Sequence, residues 1–152
     1  MAKVELTTEQ AVARISDLWN LLTDEQKTAI QKHIQVHSYK KNEIIYSEHE
    51  LPERLLCVVE GKVKIYREGI GGRNQIMRML TSVGYFGYRA YFAGERYVTN
   101  AMAFEPSVIC SIPMQVVEKV ARENNRLAFF FIHRLAYDLG EADQRTVNCV
   151  AD

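Results

Sequence analysis

Apolar positions in the first part of the chain recur at helical spacing. In AVARISDLWNLL (11–22), Val12, Ile15, Leu18, Trp19 and Leu22 stand three or four residues apart, which puts them on one helical face. Thr23 opens a second helix. In Thr23-Asp24-Glu25-Gln26 the hydroxyl and the amide each satisfy an orphan backbone donor of the first turn, and Ala29, Ile30 and Ile34 continue an apolar face. From Val36 the period changes. Runs rich in β-branched and aromatic residues occupy 36–39, 43–46, 55–59, 63–66, 75–80, 98–104 and 108–112. Turn signals separate them at Lys41-Asn42, Leu51-Pro52, Glu60-Gly61, 69–72 and Gly94. Val63-Lys64-Ile65-Tyr66 alternates inward and outward as a half-buried strand does. Short strands at this spacing, without crossover helices between them, predict a small antiparallel barrel or sandwich.

After Pro113, which suits the first turn of a helix, the helical period returns. Residues 124–150 hold no proline and only Gly140. The stretch LAFFFIHRLA is apolar almost all round and should be buried on more than one side. Beneath it, Ala128, Ile132, Leu135, Leu139, Ala142, Thr146 and Cys149 alternate spacings of four and three, a heptad-like seam. Its flanks turn polar beyond Leu139 (Glu141, Asp143, Gln144, Arg145), so the seam predicts a homodimer rather than a helix packed only on its own barrel. The expected layout is N-terminal helices over 1–35, a β-roll over 36–113 and C-terminal helices over 114–152. The last helix reaches the chain end without a stop signal, so a further segment is expected beyond it.

Composition narrows the function classes. A chain of 152 residues with 47% hydrophobic residues builds one domain plus a dimerising element. Nineteen basic residues balance nineteen acidic ones, which speaks against these residues gripping a nucleic-acid backbone themselves. Cys57, Cys110 and Cys149 form no CxxC pair, and Cys57 and Cys110 sit in apolar runs as small hydrophobes. The N-terminus lacks an apolar signal core and no segment reaches the ~18 apolar residues of a membrane span, which predicts a cytoplasmic protein. His33 and His37 are four apart, but the helix is expected to end between them, and no metal site is predicted. His49 falls in a turn and His133 in the long helix. A cupin-like metalloenzyme needs an HxH pair, which is absent, and no nucleophile–base constellation appears; no enzyme activity is expected.

The segment SEHELPERLLCVVEGKVKIY (47–66) resembles the Crp/Fnr superfamily of bacterial transcription regulators, and the resemblance runs from the first helices through the long one. KKNEIIYSEHELPERLLCVVEGKVKIYRE carries the tight turn at Glu60-Gly61; Gly69 to Arg73 occupy the family's flap tip; GYFGYRAYFAGERYVTNAMAFEPSVICSIP occupies the phosphate-binding cassette. The resemblance implies a cyclic-nucleotide-binding-like jelly-roll followed by a dimerisation helix. It also implies an effector site at Phe86, Gly87, Tyr88, Arg89, Thr99, Asn100 and Ala101. Ala128, Ile132, Leu135, Leu139, Ala142 and Thr146 would form the dimer seam. DNA would be bound through a C-terminal helix-turn-helix domain outside this chain, reoriented when an effector changes the packing of the helix pair.

Two departures alter the implied chemistry. Family members that bind cyclic nucleotides carry Gly-Glu early in the cassette, for the ribose hydroxyl, and Arg-Ser-Ala or Arg-Thr-Ala at its end, for the phosphate. Here the positions read Gly87-Tyr88 and Thr99-Asn100-Ala101. A buried phosphate without its cation costs several kcal/mol, which predicts no useful binding of cyclic AMP or cyclic GMP; Arg89 and Arg96 are the cations nearest in sequence to the altered positions. The effector remains open. Tyr85, Phe86, Tyr88, Tyr91, Phe92 and Tyr97 either fill the core or shape a flat apolar pocket, for which haem, with Met77, Met79, Met102, His133 or Cys110 as axial ligand, is the alternative cofactor. An iron–sulfur cluster needs several cysteines near the N-terminus, and none precedes Cys57. A stand-alone nucleotide-binding module would require the missing Glu and Arg.

Overall fold

The computed structural model describes the backbone of residues 4–151 and the side chains of residues 4–145. Three short helices open the chain: α1 (Thr8–Arg14), α2 (Ser16–Trp19) and α3 (Asp24–Gln31). Capping boxes start α1, at Thr7 with Gln10, and α3, at Thr23 with Gln26. The single helix expected over 11–22 is instead two. Ile15 leaves helical geometry (φ −98°, ψ 34°), and the Asp17 carboxylate accepts from the Leu18 backbone N–H at 2.9 Å. A side chain that competes for backbone donors in this way restarts a helix. The apolar spacing survives the break, because Ile15, Leu18 and Leu22 all stay in the core.

The strands follow as β1 (Gln35–Tyr39), β2 (Ile44–Tyr46), β3 (Arg54–Glu60), β4 (Lys62–Glu68), β5 (Asn74–Thr81), β6 (Gly84–Phe86), β7 (Asn100–Ala103) and β8 (Ser107–Pro113). They pair antiparallel in two sheets, ordered β1-β8-β3-β6 and β2-β7-β4-β5, a jelly-roll as expected. Strand β6 and a six-residue helix α4 (Tyr88–Ala93) had no counterpart in the sequence pattern, because the aromatic run 85–92 shows neither period clearly. Pro113 closes β8 and occupies the N-cap position of α5 (Met114–Glu123), rather than its first turn. The long helix α6 (Asn125–Ala151) begins on Asn124. The Asn124 Oδ1 accepts from the Arg126 and Leu127 N–H groups, while its Nδ2 donates to Leu21 O and Gln26 Oε1, both at 2.9 Å. One side chain thus caps α6 and fastens its start to the N-terminal helices.

Two apolar cores flank the first sheet. Leu55, Cys57 and Val59 of β3 face outward, into a core shared with Ile15, Leu18, Val117 and Leu127. Leu56 and Val58 face inward, against Val63, Ile65 and Ile109. Burial on both faces explains why LLCVV is a continuous apolar run instead of an alternating one. Cys57 lies directly across from Cys110 in the β3–β8 register, and both are free and buried. Burial pushes the Cys110 thiol up to about 12 and raises Cys57 as well, so both act as inert small hydrophobes.

The tyrosines of β6 and α4 tie this barrel to three separate helices. Tyr85 Oη donates to Asp17 Oδ1 of α2 at 2.6 Å, Tyr88 Oη to Asp138 Oδ2 of α6 at 2.7 Å, and Tyr91 Oη to Glu118 Oε1 of α5 at 2.7 Å. Asp17 also accepts from Arg134 at 3.4 Å, whose guanidinium lies 4.5 Å over the Tyr85 ring and 4.8 Å over Phe130. Desolvation by burial, followed by the neighbouring carboxylates, raises the phenols of Tyr85 and Tyr88. The folded state therefore holds phenol protons that the unfolded chain releases above its ordinary value near 10. Stability from these groups is complete below pH ~10 and falls as pH rises beyond it. Tyrosinate absorbance near 295 nm and the far-ultraviolet circular dichroism, followed together from pH 8 to 12.5, should show the slow-titrating tyrosines ionising together with loss of the fold.

Gly61 makes the tight turn between β3 and β4 at φ 92°. A Cβ there would meet Ser107 Oγ and stand 2.6 Å from Pro106 O, while the same Ser107 hydroxyl accepts from the Lys62 N–H at 3.1 Å. Gly61→Ala combines a left-handed backbone with a backbone clash and should cost about 3 kcal/mol in urea unfolding.

Candidate functional site

Gly87 carries the chain from β6 into α4 at φ 86°, packed so closely that an added Cβ would lie 3.2 Å from Arg54 O. The turn sets Tyr88 inward, 2% exposed, under α6. Between this cassette, the inner sheet and α6 lies a cavity of about 240 Å³. Five of the seven expected effector residues line it: Phe86, Gly87, Tyr88, Arg89 and Thr99. Asn100 and Ala101 do not. Asn100 Oδ1 accepts from the Glu48 N–H at 2.8 Å, holding the entry to β7, and Ala101 is fully buried in the inner core. The position that should carry a phosphate-binding cation holds Thr99, whose hydroxyl is 3.4 Å from Tyr46 Oη. Arg89 lines the cavity with its Nη1 held by Glu95 at 2.8 Å. Arg96 is not among the lining residues and donates to His49 O at 3.0 Å.

Of the remaining walls, Met77 and Tyr97 are already candidates for an apolar pocket, whereas Arg78 of β5 and Tyr46 of β2 carry no sequence signal; Tyr97 lies just before β7, the partner strand of β2. Asp138, Glu141, Ala142 and Arg145 of α6 close the top. Asp138 is the central contact: one carboxylate oxygen takes the Tyr88 hydroxyl at 2.7 Å and the other faces Arg78 Nη2 at 3.5 Å. Below, the rings of Tyr46 and Tyr97 stack at 3.7 Å with an angle of 6° between them. Both rings also border a second space of about 230 Å³ beside Glu50, Glu53 and Arg54, so the stack is a partition between two cavities.

Placing α6 on this roof splits the expected dimer seam. Ile132 and Leu139 are exposed, at 52% and 64%, but Leu135 packs on the outer core, Ala142 lines the cavity and Ala128 faces α4 and α5 beside Tyr91. Thr146 lies outside the residues whose side chains are described. The exposed apolar strip is Phe129, Ile132, Ala136 and Leu139, which also alternates three and four and is rotated by about 50° from the expected seam. Both readings share Ile132 and Leu139, so spacing alone cannot separate them; the positions of Asp138 and Glu141 over the roll do.

Of the axial residues considered for haem, Met77 lines this cavity of about 240 Å³, and His133 lines a separate open space of about 340 Å³ with Phe130, Arg134, Tyr137 and Asp138. His33 follows the end of α3 while His37 lies in β1, so they share no helix face. Among the described residues no three His, Cys, Asp or Glu side chains converge as a metal set, and no helix is long and apolar enough to cross a membrane.

Comparison with known proteins places this geometry. Residues 36–124 match the cyclic nucleotide-binding domain family. The chain is 29% identical over 132 residues to a cGMP-dependent protein kinase of Toxoplasma gondii, covering 83% of this chain and 13% of the kinase. It is 25% identical over 103 residues to the global nitrogen regulator of a Nostoc species, covering 66% of this chain and 46% of the regulator. It spans less than half the length of each of these relatives. Among solved structures, the sensor domain of the transcriptional regulator DNR from Pseudomonas aeruginosa superposes with a TM-score of 0.75 at 20% identity, over 90% of this chain and 91% of that one. The catabolite activator protein of Thermus thermophilus gives 0.70 at 23% identity, over 84% of this chain and 60% of that one. With a family match across more than half of its length and this roll beneath a long C-terminal helix, the chain belongs to the cyclic nucleotide-binding domain family and shares the fold of Crp/Fnr-type transcription regulators.

Proposed function

We propose that this chain is the effector-sensing and dimerising part of a cytoplasmic, bacterial Crp/Fnr-type regulator that does not respond to cyclic AMP, and that it has no catalytic role. The observation that carries this reading is the double use of α6. One face of the helix roofs the cavity through Asp138, Glu141 and Ala142, and the opposite face offers Phe129, Ile132, Ala136 and Leu139 at heptad spacing. An occupant of the cavity therefore touches the same rigid element that a second copy would touch. DNA would be engaged by a helix-turn-helix domain outside these residues. The nitrogen regulators and the catabolite activator protein among the relatives support the regulatory context.

A second reading, a module regulating a partner other than DNA, is favoured by the identity to the kinase of Toxoplasma gondii. The two readings differ at α6. In sedimentation analysis the first expects a dimer whose dissociation constant rises at least about thirtyfold in Leu139→Glu or Ile132→Glu. A monomer unaffected by either change supports the module.

Calorimetric titration tests the ligand assignment. Thr99 stands where a cation is needed, so cyclic AMP and cyclic GMP should give no heat at millimolar concentration. Binding at micromolar concentration overturns that assignment, and Arg89→Ala and Arg96→Ala would then show which guanidinium has taken the phosphate.

A further inference from the structure

Guanidiniums reach the cavity from the barrel and, through Arg145, from α6, but its carboxylates come from α6 alone. The barrel contributes two guanidiniums, Arg78 and Arg89, and the hydroxyls of Tyr46, Tyr88, Tyr97 and Thr99; none of its lining residues is a carboxylate. Both carboxylates at the cavity, Asp138 and Glu141, arrive on α6. The barrel by itself is thus a donor-lined cup, and the helix places a carboxylate in it. That carboxylate is held as a bound ligand would be, with one oxygen on the Tyr88 hydroxyl at 2.7 Å and the other toward Arg78 at 3.5 Å. The two donors come from different elements, α4 and β5, and converge on the two oxygens of one planar group. Tyr88 is buried, while the Arg78 and Asp138 side chains are 32% and 22% exposed, so the carboxylate sits at a partly buried edge of the cavity.

We propose that the effector is a small carboxylate, whose carboxyl group replaces that of Asp138 on Tyr88 and Arg78 and so detaches α6 from the cassette. The inference rests on the reading of the cavity as an effector site and names the chemistry it takes. The 240 Å³ available, walled by Phe86, Ile65 and Val98 away from the donors, sets the size of the remainder of the molecule to a few carbon atoms. The helix carboxylate is then a built-in competitor. Binding in the wild-type chain is weakened by the contact it must break, and that contact sets how strongly occupancy is felt along α6. A planar two-oxygen group fits the paired donors Tyr88 and Arg78, whereas a tetrahedral phosphate presents its oxygens differently, and the neighbouring Arg89 is already held by Glu95 at 2.8 Å.

The test uses acetate, succinate and inorganic phosphate as probes, titrated into the whole chain and followed by two-dimensional NMR. Succinate should bind Asp138→Ala at least tenfold more tightly than wild type, and Asp138→Asn, which keeps the side-chain volume should the alanine variant fold poorly, should show the same direction. Adding Arg78→Gln to either variant should remove the gain. In the wild type, succinate should accelerate amide exchange across 136–144. Equal affinity in the wild type and the Asp138 variants overturns the competitor role. Phosphate binding as well as succinate overturns the carboxylate class. Unchanged binding on loss of Arg78, or bound succinate with no change in α6 exchange, overturns the placement. If neither acetate nor succinate binds any variant, the carboxylate proposal fails while the effector reading stands on its own cyclic-nucleotide and dimer tests; micromolar cyclic AMP binding overturns the carboxylate class and keeps the cavity as an effector site.

Discussion

A strand pair buried on both faces governs this molecule. The side chains of β3 and β8 alternate between the roll interior and a helical layer, and neither row can be left to water. Covering the inner row requires the second sheet. Covering the outer row requires the N-terminal helices, α5 and the first half of α6 together. Full burial of one Leu or Val side chain stabilises by roughly 1.5–3 kcal/mol, so a row of three is worth a substantial part of the net stability of a domain this size. The helix that completes the cover is long enough to overrun it, and its later turns come to rest over the mouth of the roll. The cavity under α6 is therefore a by-product of how the sheet is sealed.

Within that frame, polar ties decide how the helices sit. Three phenols from one short stretch each reach a carboxylate on a different helix, and Arg134, lying against both Tyr85 and Phe130, reinforces one of them. Compared with the arrangement that the family resemblance implies, the polarity at Tyr88 is reversed. There the cassette supplies the carboxylate; here the cassette supplies the hydroxyl and α6 supplies the carboxylate. The polar pattern at this position thus differs from the one the resemblance implies while the roll keeps its two-sheet arrangement.

The chain states its architecture more openly than its site. Periodicity located seven of the eight strands, the capping box at Thr23 and the turn at Gly61, because each rests on local chemistry that neighbours in sequence determine. Ile15 was hidden because an apolar spacing of three and four does not reveal whether the backbone between the positions is continuous. Strand β6 and α4 were hidden in a run of aromatics in which neither period dominates. The cassette half of the cavity was legible from the Gly87 turn and the residues around it, except that Asn100 and Ala101 turn to structural tasks. The α6 half was not. Which face of a helix looks inward depends on the rotation imposed by Leu127 and Phe131 in the core and by Asp138 over Tyr88, contacts with residues 40 or more positions away in the second case.

The stacked pair of Tyr46 and Tyr97 has a bearing on how the interior of this roll is divided. The backbone at Tyr97 is fastened independently of its ring, with its N–H on Glu50 O at 3.0 Å and its carbonyl taking the His49 N–H at 2.8 Å. The ring itself belongs to the inner core, so shortening it would remove buried apolar contacts together with the wall between the two spaces. One side chain thereby serves at once as packing and as a boundary, and its loss would be felt in the stability of the roll as well as in the shape of its interior.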